Sequence, residues 1–171
     1  MKLSELLKTA KYVISNENGC ARMYGRKDIF RKMNWGRDAE VIPGGTIPVR
    51  TEKGTFTGIW GGVAKQGERI NGHARVETLQ AKWLNKGWKL VDIPGIEMFA
   101  ERNTLGKQLD QLVRFQMPDG HVIRGIARVE EVSPGKKILH VKVITEPASG
   151  GVERVHGRMP LVRLALHPEK E

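Results

Sequence analysis

The sequence predicts a β-dominated α+β domain, and two local patterns carry that prediction. Residues 136–145 alternate between apolar and polar side chains, with Leu139, Val141 and Val143 on one side, as in a half-buried strand. Asp119-Gly120 separates two further extended runs and is the strongest hairpin signal in the chain. Helical spacing is limited to short stretches, so strands are expected to form most of the core.

The other strands are predicted from turn residues and apolar runs. Asp119-Gly120 is expected to join residues 112–117 to residues 121–129 in a hairpin. The remaining predictions are a hairpin over 51–63 that turns at Lys53-Gly54, a strand over 88–99 with an irregularity at Pro94-Gly95, and a final strand over 159–166.

Short helices are predicted where apolar residues recur three and four positions apart. They cover residues 3–13, residues 26–33, the stripe Val76, Leu79, Trp83 and Leu84 that ends at Gly87, and the group Leu105, Leu109 and Leu112.

Composition and charge restrict the function. The chain has 171 residues, enough for one domain with a core, and contains no apolar run of the roughly 18 residues that a membrane span needs. The single cysteine, Cys20, excludes an internal disulfide, and the first residues lack a secretory-signal pattern, so we expect a cytoplasmic protein. Lys and Arg number 29 against 19 Asp and Glu, and this net charge of +10 is typical of proteins that bind nucleic-acid phosphates.

Common catalytic and cofactor signatures are missing from the sequence. His73, His121, His140 and His156 lack the tight spacing of a metal site. Neither the phosphate-binding G-x-x-x-x-G-K-[ST] pattern nor the G-x-S-x-G pattern of serine hydrolases occurs. We therefore expect no metal, no small-molecule cofactor and no membrane partner.

An ordered series of short motifs gives a more specific indication. In chain order they are Cys20-Ala21-Arg22, Pro43-x4-Pro48-Val49, Ile59-Trp60-Gly61, His73-Ala74-Arg75-Val76-Glu77-Thr78, Leu90-Val91 with Gly95 and Glu97, Asp119-Gly120 with Gly125-Ile126-Ala127, Thr145-Glu146, and His156-Gly157-Arg158-Met159-Pro160. From Cys20 to its end the chain resembles the SOS-response-associated peptidase (SRAP) family. The family's H-x-R-M-P motif is matched completely, and the A-R-x-E-T match is nearly as specific.

The resemblance implies a distorted antiparallel β-barrel or sheet core with a few flanking helices over residues 20–171, preceded by an extension over residues 1–19. It implies a monomer that binds single-stranded DNA and shields abasic sites, associated with the nucleoid of a bacterial or phage-infected cell. In that family an N-terminal cysteine attacks the ring-opened sugar aldehyde, and its thiol and α-amine close a thiazolidine. The product is a stable DNA–protein crosslink, whereas a thiol alone gives a reversible hemithioacetal.

Carried over position by position, the resemblance assigns roles to single residues. It makes Cys20 the nucleophile, His156 the active-site histidine and Glu97 the proton shuttle, with Glu101 as the second candidate for that glutamate. The implied DNA contacts are Arg22, Arg75, His73, Trp60, Thr145 and Arg158. Two alternatives are open for Trp60, which either stacks on a base or fills the core.

Two departures from the family pattern affect the DNA-facing residues. His73 stands where the family has an asparagine before A-R-x-E-T, unless Asn71 takes that place across a two-residue insertion. Gly44-Gly45 replaces a Thr-Gln pair after Pro43, which removes two polar side chains from the loop.

A third departure concerns the nucleophile itself. Cys20 follows Gly19 in the chain, so its nitrogen lies in a peptide bond and cannot enter a thiazolidine while residues 1–19 remain. Either the domain cleaves the Gly19–Cys20 bond itself, with His156 and a glutamate assisting, or the extension is permanent and the protein binds DNA without crosslinking.

Three functions therefore compete at the sequence level. The first is an abasic-site sensor that bonds DNA through Cys20. The second is a non-enzymatic module for single-stranded nucleic acid on the same fold, which uses Arg22, Arg75, Arg158 and Trp60 for backbone and stacking contacts. The third is a cysteine peptidase whose only substrate is its own leader.

Overall fold

The computed structural model describes residues 19–26, 40–64, 67–105 and 111–168. The helix predicted over 3–13 lies outside these residues, and so does the helix predicted over 26–33 except for Arg26. The strands are β1 (Arg22–Gly25), β2 (Glu40–Val41), β3 (Thr46–Thr51), β4 (Gly54–Trp60), β5 (His73–Arg75), β6 (Lys89–Ile93), β7 (Ile96–Arg102), β8 (Leu112–Gln116), β9 (His121–Ser133), β10 (Lys136–Pro147), β11 (Arg158–Pro160) and β12 (Val162–Leu164).

Five of these strands close into a barrel, and the β-dominated α+β prediction is confirmed. The order is β10-β4-β3-β6-β9, and β9 pairs with β10 to complete the ring. The long antiparallel β9–β10 ladder runs from Ser133 opposite Lys136 to Gly125 opposite Val143, whereas β10 pairs with β4 in parallel. Three further strands pair with members of the ring: β5 and β11 with β10, and β12 with β9.

A smaller sheet lies beside the barrel, in the order β2-β1-β7-β8. The strand predicted over 88–99 is divided between the two sheets. Pro94 and Gly95 separate β6 in the barrel from β7 in the small sheet. Gly95 has a φ of 73°, a left-handed conformation that glycine adopts without strain. The sequence irregularity is therefore a corner between two sheets.

The hairpin predicted around Asp119-Gly120 is wrong in its pairing. The turn forms at these residues, and Gly120 has a φ of 72°. However, β8 pairs with β7 in the small sheet, while β9 belongs to the barrel. Leu112 also opens β8 rather than ending a helix, and residues 106–110 lie outside the described residues. The Asp119-Gly120 turn therefore connects a strand of the small sheet to a strand of the barrel.

The helical stripe after β5 is confirmed as a run of short turns. It consists of a 3₁₀ turn over Val76–Thr78, α1 over Leu79–Lys82 and a second 3₁₀ turn over Leu84–Lys86. Gly87 ends the run with a φ of 90°, the left-handed cap expected of glycine. Within the described part of the chain, no helix is long and apolar enough to cross a membrane.

The two sheets share one apolar core. Trp60, Ile47 and Val141 of the barrel pack in the same buried cluster as Met23 and Phe99 of the small sheet. Val141 and Val143 of β10 are fully buried as predicted, but Ile144 and Thr145 are fully buried too, so this part of β10 is buried on both faces and not on one. Cys20 belongs to this cluster too, which places the start of β1 at the junction of the two sheets.

Gly125 lies in β9 where the backbone of β10 comes close. A Cβ atom at this position would lie 2.6 Å from the Lys142 carbonyl oxygen. We therefore expect Gly125→Ala to lower the free energy of unfolding by about 1–3 kcal/mol, the cost of overpacking. Urea denaturation followed by tryptophan fluorescence measures it.

The matched control for this substitution is Gly157→Ala. Gly157 is exposed, and a Cβ there would have no heavy atom within 4 Å. This variant should stay within about 0.5 kcal/mol of the parent protein. Equal losses in both variants would contradict the close approach of β9 and β10.

Candidate active site

The register between β1 and β7 brings Cys20 to Glu101. Arg22 lies opposite Ala100, and the Ala21 N–H donates to the Ala100 carbonyl oxygen at 2.8 Å. Because the strands are antiparallel, the next residue of β7 then lies beside the residues that precede Arg22. The Cys20 backbone N–H accordingly donates to Oε1 of Glu101 at 2.5 Å.

This register favours the second candidate for the glutamate over the first. Glu97 is exposed and lies next to Ile96, which is opposite Gly25 at the far end of β1. The family resemblance made Glu97 the first candidate for the proton shuttle. The structure instead places Glu101, four residues further along β7, against Cys20.

Glu101 is a buried carboxyl group, and one of its two oxygens has no hydrogen-bond partner among the described residues. Its side chain has no exposed surface, and Oε2 has no hydrogen-bond partner among the described residues. Desolvation by burial raises the pKa of Glu101 to about 9, although the hydrogen bond from the Cys20 backbone acts in the opposite direction. Glu101 is therefore an undissociated acid at neutral pH, with a proton available for transfer.

Cys20 is held in an unusual backbone conformation. Its φ of 53° is left-handed, and it is the one non-glycine residue with a positive φ in the described part of the chain. Such strain persists only where surrounding contacts enforce it, and it is concentrated at functional sites. Burial raises the pKa of the Cys20 thiol well above its ordinary value, and Glu101, once ionised at high pH, adds to that rise.

His73 holds the other side of the Cys20 peptide. Nε2 of His73 lies 2.9 Å from the Cys20 carbonyl oxygen, which can only accept, so this nitrogen carries the proton. Burial lowers the pKa of His73 to about 4, and the charges on Lys142 and His156 act in the same direction. The imidazole is therefore neutral at neutral pH.

The Trp60 ring packs against the His73 ring. The two rings meet edge to face with centroids 5.7 Å apart, and the indole N–H donates to the Gly72 carbonyl oxygen at 2.9 Å. Of the two alternatives for Trp60, stacking on a base or filling the core, the structure shows the second, because Trp60 has no exposed surface. Packing of Trp60 fixes the segment that presents His73 to Cys20.

His156, in the turn before β11, and Arg158, the first residue of β11, form the third side of the site. The Arg158 backbone N–H donates to Nδ1 of His156 at 2.9 Å, so the neutral ring carries its proton on Nε2. The Arg158 carbonyl oxygen lies 3.1 Å from the same nitrogen and would accept from it in the protonated ring. His156 is buried and close enough to His73 for its charge to lower the pKa of His73.

Gly19, the residue before Cys20, is packed tightly. Gly19 has a φ of 84°, and a Cβ atom on it would lie 2.8 Å from both the carbonyl carbon and the Cβ of Arg158. Glycine alone fits this position without moving the Arg158 backbone. The Gly19–Cys20 peptide bond is therefore enclosed between Arg158 on one side and Glu101 on the other.

The residues expected to contact DNA occupy different environments. Arg75 is exposed and, two positions from His73, shares its face of β5. Arg22 forms an ion pair with Glu40 at the surface. Thr145 is fully buried, and its carbonyl and hydroxyl oxygens both accept from Arg158.

Glu77 is a site residue to which the sequence assigned no role. Its carboxylate pairs with both terminal nitrogens of Arg158, at 2.6 and 2.9 Å. The available signal was its position within the A-R-x-E-T motif, two residues after Arg75. Among the residues that the structure describes, no group of three or more His, Cys, Asp or Glu side chains has the geometry of a metal site.

Glu101 should control how stability depends on pH. An unfolded glutamate titrates near pH 4.5 and the folded one near pH 9, so the folded protein keeps a proton that the unfolded chain loses. The stabilisation is complete below the lower pKa and is lost as pH rises through the higher one. Glu101→Gln should remove this decline, and its stability advantage over the parent should grow by up to about 1.4 kcal/mol per pH unit.

Urea denaturation at several pH values between about 6 and 8.5 measures this difference. Glu97→Gln is the matched substitution, because Glu97 is an exposed carboxylate on the same strand. Its stability profile should run parallel to that of the parent. A parallel profile for Glu101→Gln would contradict the buried neutral acid.

The thiol of Cys20 should be protected in the folded protein. As the chain has one cysteine, a thiol reagent such as DTNB reports on Cys20 alone. Burial and the raised pKa of the thiol both disfavour its reaction with the reagent. If the thiol reacts only after local unfolding exposes it, an unfolding free energy of about 1.4 kcal/mol already slows the reaction tenfold. We expect the native rate to be at least about tenfold below the rate in urea; equal rates would contradict a buried thiol.

Comparison with known proteins adds information on the fold. No protein-family model matches the chain, and no curated protein matches it in sequence. A crystal structure of a Bordetella bronchiseptica protein is similar with a TM-score of 0.64 and 19% identity, covering 84% of this chain and 83% of that one. A Bacteroides thetaiotaomicron protein is similar with a TM-score of 0.62 and 15% identity, covering 84% and 76%. Both are described only as structural-genomics targets, so the likeness concerns the fold alone.

Proposed function

We propose that this protein captures abasic sites in single-stranded DNA through Cys20, with the chemistry that its resemblance to the SRAP family implies. The observation that carries the proposal is the contact of the Cys20 backbone nitrogen with the buried acid Glu101. In a thiazolidine, that nitrogen and the thiol of the same residue are the two atoms that bond to the sugar aldehyde. A carboxyl group in contact with this nitrogen therefore supports the proposal.

The reaction needs proton transfers that the surrounding residues can supply. The amine adds to the aldehyde carbon, the resulting hydroxyl leaves as water, and the thiol then adds to the imine with its proton passing to nitrogen. Glu101 can protonate the departing hydroxyl because its carboxyl is undissociated at neutral pH. His156 has a backbone donor and a backbone acceptor at Nδ1, so both of its protonation states have a partner.

A free amine at Cys20 requires cleavage of the Gly19–Cys20 bond. The Cys20 sulfur attacks the Gly19 carbonyl carbon, the carbon–nitrogen bond breaks, and the nitrogen takes the Glu101 proton while the thiol proton returns to the carboxylate. Water then hydrolyses the thioester, which restores the thiol and leaves Gly19 with a carboxylate. The left-handed Cys20 backbone and the carboxyl at its nitrogen support this self-cleavage.

Charge on the molecule supports DNA as the partner. The net charge of +10 favours binding of a polyanion, and Arg75 is exposed on the face of β5 that carries His73. Next to it, His73 and Glu101 are uncharged at neutral pH. We propose that phosphates contact the exposed cations while the sugar lies beside these two uncharged residues.

The alternative function is a non-enzymatic module for single-stranded nucleic acid. The specific observation in its favour is that the Cys20 thiol has no exposed surface and its nitrogen lies in a peptide bond. If residues 1–19 remain attached, DNA binding would then use only backbone contacts.

The test is a crosslinking reaction with the full-length chain. The protein is incubated with a single-stranded oligonucleotide that carries one abasic site, and the products are analysed on a denaturing gel and by intact mass. We expect an adduct that contains residues 20–171 and weighs one water less than its two components. Cys20→Ser and an oligonucleotide with all its bases should both give no adduct.

The two candidate glutamates are distinguished in the same assay. Glu101→Gln should slow adduct formation by about 10²–10⁴, the range for loss of a general acid, whereas Glu97→Gln should react like the parent. An adduct that retains residues 1–19 would contradict the thiazolidine. Salt-sensitive binding on a native gel without any denaturing-gel band would favour the non-enzymatic module.

A further inference from the structure

The two terminal nitrogens of Arg158 are bound by the protein itself, whereas its Nε has no hydrogen-bond partner among the described residues. Its Nη1 donates to Glu77 at 2.6 Å, and its Nη2 donates to Glu77 at 2.9 Å and to the carbonyl and hydroxyl oxygens of Thr145 at 2.8 and 3.2 Å. The side chain is 11% exposed, and Nε has no exposed surface. A bidentate guanidinium–carboxylate pair is among the stronger polar contacts in proteins. A DNA phosphate would have to displace Glu77 to reach this guanidinium.

The backbone of the same residue touches both halves of the candidate site. Its N–H bonds Nδ1 of His156, and its carbonyl carbon and Cβ enclose Gly19 immediately before the nucleophile. Arg158 is thus a common neighbour of the imidazole and of the Gly19–Cys20 peptide. Any shift of its backbone would move the two relative to each other.

We propose that Arg158, anchored by Glu77 and Thr145, is a positioning residue that aligns His156 with the Gly19–Cys20 peptide, and that it is not a phosphate contact. This inference rests on the proposed function, and it replaces the DNA-binding role that the family resemblance implies for Arg158 and Thr145. The side chain ties β11 to β10 and to the turn after β5, and the backbone presents the reacting groups.

The charges around Arg158 agree with this role. Its hydrogen bond to Glu77 holds the pKa of that carboxyl below the ordinary value, so the pair stays ionised and has no net charge. A neutral pair releases no counterions when DNA binds. Arg75 is exposed, and although its charge also lowers the pKa of Glu77, it is the cation of this region that we expect to contact phosphate.

Glu77→Gln is the decisive variant, because Glu77 is 46% exposed and its loss leaves the guanidinium in place. The matched control is Glu146→Gln, which breaks a bidentate pair of the same type with Arg163 at 3.1 and 2.7 Å on the barrel surface. Three quantities are measured on full-length protein. They are the first-order crosslinking rate at saturating abasic DNA, the salt dependence of DNA affinity, and the proton position on His156 by nitrogen NMR.

For Glu77→Gln we expect crosslinking to slow by about tenfold to a hundredfold, as for a misplaced reacting group, with an altered His156 ring signal. The slope of log affinity against log salt should stay unchanged. For Arg75→Gln the slope should fall by about 0.7, the loss of one phosphate contact on a single strand. Glu146→Gln should leave the rate and the His156 signal as they are.

The opposite pattern overturns the inference. If Arg158 bound phosphate and Glu77 merely blocked it, Glu77→Gln would raise the salt slope by about 0.7 and leave the His156 signal unchanged. Failure of the proposed function looks different, since the parent protein would then give no Cys20-dependent adduct. In that case the salt slope and the His156 signal still decide whether Arg158 positions the histidine or binds DNA.

Discussion

The hydrogen bond from the Cys20 backbone nitrogen to Glu101 is the contact on which the site depends. It forms because the β1–β7 register places Glu101 beside the residues that open β1, at the junction of the small sheet and the barrel. That junction removes both residues from water. An ionised carboxylate would be costly there, so the group keeps its proton, and it contacts the nitrogen that becomes an amine in the proposed reaction.

Around this contact Glu101 and His73 are uncharged at neutral pH, whereas the chain as a whole is basic. His73 is neutral because it is buried, and it holds the Cys20 carbonyl; the Arg158–Glu77 pair cancels its own charge. The chain as a whole still has a net charge of +10. In the proposed function, long-range attraction for a polyanion and short-range control of protons therefore belong to different residues.

Local patterns in the sequence were sufficient for the fold class and for several elements. The alternation that predicts β10 and the glycine that ends the helical run at Gly87 depend on near neighbours, and both are present. The sheet to which a strand belongs could not be predicted in this way. The Asp119-Gly120 turn has the same sequence signal whether its two strands pair with each other or enter different sheets. The glutamate beside Cys20 also depended on a register between strands about eighty residues apart, which no local pattern encodes. The motif order named Cys20, His73 and His156 as site residues, and their roles stay predictions, whereas the partner of Arg158 became visible only in three dimensions.

The most direct test of this account is the protonation state of Glu101 in the folded, full-length chain at neutral pH. Infrared difference spectroscopy between the parent protein and Glu101→Gln isolates the absorption of this one side chain. We predict the carbonyl stretch of an undissociated carboxylic acid that disappears in the variant. A difference spectrum with only carboxylate bands would contradict the account, because Cys20 would then face a base in place of an acid.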